Sequence, residues 1–133
     1  HRTRLRIAPM TARLRHQVRI MLDDKIALGP GKATLLEAIG RHGSISAAAR
    51  EMGMSYTRAW ALVDAMNRCF RQPVVLTVTG GKRGGGAEVS ATGYEVLRQY
   101  RAMEKAANAA LDGPFDELRP LLRDQAEHPD DKA

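Results

Sequence analysis

The chain has 133 residues, a formal net charge of +6, a sequence pI near 10.0 and a single cysteine. That length fits one domain with one core, and 44% hydrophobic with 27% charged residues is ordinary globular composition rather than that of a disordered or fibrous chain. No apolar stretch approaches the roughly 18 residues a membrane span needs, Arg2, Arg4, Arg6, Arg13 and Arg15 break up any signal-peptide core, and a lone Cys69 excludes a disulfide framework or a cysteine zinc site, so a cytoplasmic location is expected.

Residues 1–17 carry arginines and Pro9 without periodicity and read as a flexible basic arm. Val18–Leu22 is β-branched enough for a short strand, closed by the turn-like Asp23-Asp24-Lys25. Gly29-Pro30-Gly31 punctuates the chain, and Pro30 suits the first turn of a helix running to about Arg41, with Leu35, Leu36 and Ile39 on one face and Gly43 as its stop. Ser44 is an N-cap candidate for a short helix with Ile45, Ala48, Ala49 and Met52 at helical spacing, ended by Gly53. Ser55 caps the next helix, whose apolar stripe is Ala59, Leu62, Val63, Met66 and Phe70, and Pro73 stops it. Val74–Thr79 is a β run, Gly80–Gly86 a glycine-rich loop holding Lys82 and Arg83, and Ala87–Ser90 the returning strand. A long helix follows from Ala91 to about Leu111, broken at Gly113-Pro114; a short helix around Phe115–Leu122 and a disordered acidic end complete the chain.

The expected fold is therefore mainly α with a small β-hairpin: a winged helix-turn-helix plus a long C-terminal dimerisation helix. The divisions are a basic arm at 1–17, the winged helix-turn-helix at 18–90, the long helix at 91–112, and a short helix with an acidic tail at 113–133. Charge follows these divisions, since residues 1–111 carry a net +10 and residues 112–133 a net −4. A basic body concealed by an acidic tail invites a polyanion.

Two short helices joined by a tight glycine turn are the sequence form of a helix-turn-helix. The opening of the second helix, Ser55, Tyr56, Thr57 and Arg58, carries groups that bond phosphates or base edges, and the Arg58 fork matches guanine O6 and N7. Ser44 and Ser46, at the N-terminus of the preceding helix, suit the DNA backbone. The hairpin directly after this unit reads as a wing with Lys82 and Arg83 at its tip. A nucleotide phosphate loop does not fit, because Arg83 rather than Ser or Thr follows Lys82 and the hairpin leads into a strand. A dinucleotide fingerprint fails because its third glycine position is Val89.

The block GSISAAAREMGMSYTRAWALVDAMN (Gly43–Asn67), followed by TGGKRGGGAEVSATG (Thr79–Gly93), resembles the N-terminal DNA-binding domain of the ModE family of molybdate-responsive repressors and their LysR-like winged-helix relatives. The similarity extends in layout from about Val18 to Leu111. It implies a bacterial homodimeric transcriptional regulator that binds palindromic promoter DNA as a duplex and pairs through the long helix and the first strand. The match places Ser55, Tyr56, Thr57 and Arg58 at the start of the recognition helix and Lys82 on the wing, with Trp60 packing between helix and wing. Dimerisation is expected through a surface stripe of Val96, Tyr100, Met103 and Ala107. Family members carry oxyanion-sensing β-barrels after this domain; about twenty residues follow the long helix here, so a regulator with no molybdate site in this chain, and no cofactor, is expected.

No catalytic or metal-ligating constellation is apparent. His1, His16, His42 and His128 are widely separated, Asp23-Asp24 and Asp130-Asp131 are adjacent pairs suited to solvation, and Cys69 reads as a buried structural thiol. An enzyme is not expected. The alternative to a DNA-binding regulator is a winged-helix interaction module that dimerises and binds an acidic partner.

Overall fold

A computed structural model describes residues 12–78 and 86–127. The wing tip with Lys82 and Arg83, most of the basic arm and the extreme C-terminus lie outside the described residues. The chain divides into two units, one formed by Gln17–Lys105 and the other by the segments flanking it.

The larger unit opens with two strands, β1 (Ile20–Leu22) and β2 (Lys25–Leu28), paired antiparallel with Met21 opposite Ile26 and Leu22 opposite Lys25. A single strand was expected here. The chain instead reverses at Asp23, whose φ of 54° is one that aspartate tolerates better than most residues, and returns along Ile26-Ala27-Leu28 to bury Ala27 and Leu28.

Helix α1 (Pro30–His42) starts on Pro30 and stops at Gly43, which adopts φ 69° and returns its N–H to the Ile39 carbonyl. Helix α2 (Ile45–Met52) is capped by Ser44, whose hydroxyl accepts the Ala47 N–H at 3.0 Å. Gly53 ends it in the same left-handed conformation. Helix α3 (Tyr56–Cys69) is capped by Ser55, which accepts the Arg58 N–H at 3.0 Å. Each of these serine caps is worth about 1 kcal/mol.

Strands β3 (Val75–Val78) and β4 (Gly86–Val89) pair antiparallel in the register Val75 to Val89 through Val78 to Gly86. The side chain of Asn67 holds the base of this hairpin to α3: its amide oxygen accepts the N–H groups of Val74 (2.8 Å) and Val75 (3.2 Å), and its NH2 donates to the Val75 carbonyl (3.1 Å). The Ala87 N–H donates to the Gly43 carbonyl at 3.1 Å and ties β4 to the α1–α2 turn.

Helix α4 (Ala91–Leu118) begins after Ser90, whose hydroxyl accepts the Gly93 N–H at 2.9 Å and donates to the Pro73 carbonyl at 2.6 Å. The helix does not break at Gly113-Pro114 as expected but continues to Leu118, followed by a 3-10 turn at Arg119–Leu121. Pro114 removes one N–H, but the carbonyl it frees four residues earlier belongs to exposed Ala110, which water can satisfy. In the smaller unit the His16 ring bonds the Asn108 side chain at 2.6 Å, and the Arg119 guanidinium donates to the Ala12 carbonyl and stacks over Phe115.

The core of the larger unit gathers α1 (Ala33, Leu35, Leu36, Ala38, Ile39), α2 (Ile45, Ala48, Ala49), α3 (Ala59, Val63, Met66) and α4 (Leu97, Tyr100), with Leu28, Val74, Val75, Ala87 and Val89 from the strands. Tyr100 is fully buried there and donates to the Val18 carbonyl at 2.7 Å. Burial pushes its phenol up, so it remains a donor. This corrects the expected surface stripe: Tyr100 packs inside its own chain, Val96 packs partly against the same core, Ala107 is half-buried and Met103 is exposed.

Gly93 is where α4 meets the hairpin base. A Cβ at this position would lie 2.3 Å from the Val74 carbonyl oxygen and 2.6 Å from Val89 Cγ1. Gly93→Ala is therefore expected to destabilise the protein by about 3 kcal/mol, with backbone rather than a flexible side chain in the way; urea denaturation of the two proteins measures the difference.

Candidate nucleic-acid interface

Helices α2 and α3 bury Ala48, Ala49 and Ala59 alongside the larger Ile45, Val63 and Met66, and the first turn of α3 is exposed. The first turns of both helices lack acidic residues. The serine caps take one N–H of each helix, and no acidic side chain offsets the positive end of either helix dipole, an arrangement that favours an anion.

On α3, Tyr56, Thr57 and Arg58 are exposed in the first turn, with the Ser55 cap exposed beside them. On α2, Ser46 is exposed, while Ser44 is half-buried and occupied as the cap. These residues share one region with the hairpin. A cleft of about 420 Å³ is lined by Ser44, Ser46, Tyr56, Trp60, Thr77 and Val78, among others. The structure thus brings Ser44, Ser46 and Tyr56 together at the cleft and places Thr57 and Arg58 on the adjoining face of α3. Lys82 and Arg83 lie outside the described residues.

Trp60 lines this cleft beside the hairpin strands, and 38% of its surface remains exposed. It is therefore a surface residue of α3 as well as a packing contact. The expected role for Trp60 is packing between helix and wing, yet it falls outside the apolar stripe of Ala59, Leu62, Val63 and Met66. Ala61, which nothing in the sequence marks as core or surface, is also exposed.

Behind the interface, Glu51 on α2 receives Arg41 at 2.5 Å and His42 at 2.6 Å, both from the end of α1. Arg41 and His42 hold its carboxyl below the usual carboxylate range. Further back, Arg101 on α4 forks onto both oxygens of Glu37 on α1, at 3.0 and 2.7 Å, and reaches Glu104 at 2.7 Å. These pairs link α1 to α2 and to α4, and Arg58 takes part in none of the ion pairs formed among the described residues.

Two other features stand apart. Cys69 is half-buried rather than buried and lines a second cleft with Lys25, Lys32 and Arg68. Among the described residues no group of three His, Cys, Asp or Glu side chains could hold a metal ion, and no helix is long and apolar enough to cross a membrane.

The architecture is that of a winged helix-turn-helix followed by a long helix. A solved structure with the same fold, a crystal structure of the CbnR_DBD–DNA complex, superposes with a TM-score of 0.52 at 19% identity, over 67% of this chain and 97% of that one. In sequence, the chain is 51% identical over 100 residues to the molybdenum-pterin-binding protein MopB of Rhodobacter capsulatus, covering 75% of this chain and 36% of MopB. It is 33% identical over 93 residues to the DNA-binding transcriptional dual regulator ModE of Escherichia coli K12, covering 70% of this chain and 36% of that protein. The chain thus spans about a third of the length of these curated relatives. No protein-family model matches it.

Because the Glu51 carboxyl is depressed in the folded protein, its contribution is fully present above the ordinary carboxylate value of 4.5 and is lost as pH falls through the lower folded value. Thermal unfolding at pH 7 is expected at a lower midpoint for Glu51→Gln, with the gap to the native sequence closing as pH drops below about 4.

Proposed function

We propose that this chain is the DNA-binding portion of a ModE-like transcriptional regulator. The observation that carries the reading is the outward first turn of α3, with Ser55, Tyr56, Thr57 and Arg58 presented beside an acid-free α2 N-terminus. Similarity to the Escherichia coli DNA-binding transcriptional dual regulator supports it, and so does the net +4 of residues 41–90, which hold the helix-turn-helix and the hairpin.

In this reading, the N-terminal half of α3 enters the major groove of duplex DNA. Arg58 bonds a guanine edge, Tyr56 and Thr57 contact bases or phosphates, and Ser44 and Ser46 seat a phosphate at the head of α2. Lys82 and Arg83 on the wing tip neutralise backbone charge. Two copies pair along α4, through Met103 and Ala107 with a smaller part for Val96, and read the halves of a palindromic operator as a repressor. Molybdate is not a ligand of these residues in this reading; the stretch acts as the DNA-reading part.

Arg58→Ala is expected to weaken binding to a duplex selected from genomic fragments by about 1–3 kcal/mol and to relax sequence choice, whereas Lys82→Ala should weaken all duplexes alike and reduce the salt slope. Fluorescence anisotropy over a salt titration measures both. Equal losses on selected and random DNA for Arg58→Ala would remove its base-reading role. No affinity for any duplex at low salt would instead favour a module that binds an acidic protein. Sedimentation at micromolar concentration is expected to show a dimer that Met103→Glu dissociates.

A further inference from the structure

The outer face of α3 carries a shallow recess of about 330 Å³ whose lining is Thr57, Trp60, Ala61 and Asp64. Its chemistry differs from that of the polar first turn. The floor is apolar, since Ala61 is exposed and contributes only a methyl group, with the indole of Trp60 alongside and the branched side chain of Thr57 at the near end. At the far end, the Asp64 carboxylate accepts a hydrogen bond from Arg68 at 2.9 Å and is exposed on the rim.

Such a recess suits a small uncharged apolar group. A phosphate is a poorer match, because Asp64 sits at the rim with Arg68 already engaged by it, and the lining offers as donors only the Thr57 hydroxyl and the Trp60 indole N–H. Within the major groove the group that answers this description is the 5-methyl of thymine, the one apolar feature on any base edge there. We propose that the Thr57–Trp60–Ala61 recess is a thymine-methyl contact, giving α3 a second specificity element one turn beyond Arg58. The proposal rests on the DNA-binding reading above and adds Trp60 and Ala61 to the residues that select sequence.

The test uses the 133-residue chain and a duplex selected from a random pool, in which each thymine is replaced singly by deoxyuridine to remove only the methyl. One position in each half-site is expected to lose about four-fold in affinity, the worth of one buried methyl group. Thr57→Ser, which removes a methyl and keeps the hydroxyl, and Ala61→Ser, which puts a hydroxyl in the recess floor, should each reduce that loss below about two-fold. Both side chains are exposed, and thermal melts of the variants verify that the helix is intact. Tight duplex binding with no deoxyuridine effect at any position overturns the recess proposal and leaves the DNA-binding reading standing. A deoxyuridine loss that persists unchanged in both variants places the methyl contact elsewhere and also overturns it. A preference for cytosine opposite the recess, lost in Asp64→Asn, would assign the site to the Asp64 carboxylate instead. Failure to select any duplex overturns both readings together.

Discussion

The larger unit is organised around the burial of one helix. Ala33, Leu35, Leu36, Ala38 and Ile39 of α1 are all fully excluded from solvent, and α2, α3, β2 and β4 each pack against α1. Each leucine or isoleucine removed from water in this way stabilises the fold by about 1.5–3 kcal/mol. The two alanines matter differently, because their small volume lets neighbouring elements come close enough for the larger residues to interlock. Among the described residues no polar or charged side chain is buried. Polar chemistry is thus displaced to the helix ends, where the caps and the Glu51 pair lie, and to the partly exposed helix faces, where Arg101 meets Glu37.

That division between an apolar interior and polar ends explains which parts were legible in the sequence. Helix punctuation was readable because it is local: Pro30, Gly43, Ser44, Gly53 and Ser55 each act on neighbouring backbone, and every one stands at the helix boundary it suggested. The hairpin at β3–β4 was readable from its glycine-rich interruption. What escaped was decided by contacts distant in sequence. Ile26-Ala27-Leu28 is too short and too rich in helix formers to announce a strand, and pairing with Ile20–Leu22 creates it. Pro114 carries a strong local signal to stop, yet exposure of the freed carbonyl lets α4 continue. Tyr100 reads as amphipathic in a long helix, and only the meeting of α4 with Val18 shows that it points inward.

The candidate interface divides along the same line. Ser55 through Arg58 were visible because a capping serine and the residues after it define the first turn of a helix. Ala61 was invisible for a physical reason: an alanine gives no sign of whether it serves a core or a surface. Trp60 was better placed to be found, since subtracting the buried stripe from α3 leaves Tyr56, Thr57, Trp60, Ala61 and Asp64 as one face.

The Asn67 side chain has a mechanical consequence. Its amide supplies the hydrogen bonds that a neighbouring strand would give to the first residues of β3, so α3 is stitched to the hairpin by a side chain rather than by a flexible run of backbone. Ser90 donates to Pro73 at the hairpin base, and further along β4 the Ala87 amide donates to Gly43, so the hairpin is tied to its neighbours at three points. The orientation of the hairpin relative to α3 is therefore set by side-chain hydrogen bonds, so a change at Asn67 would loosen the hairpin without touching a core residue.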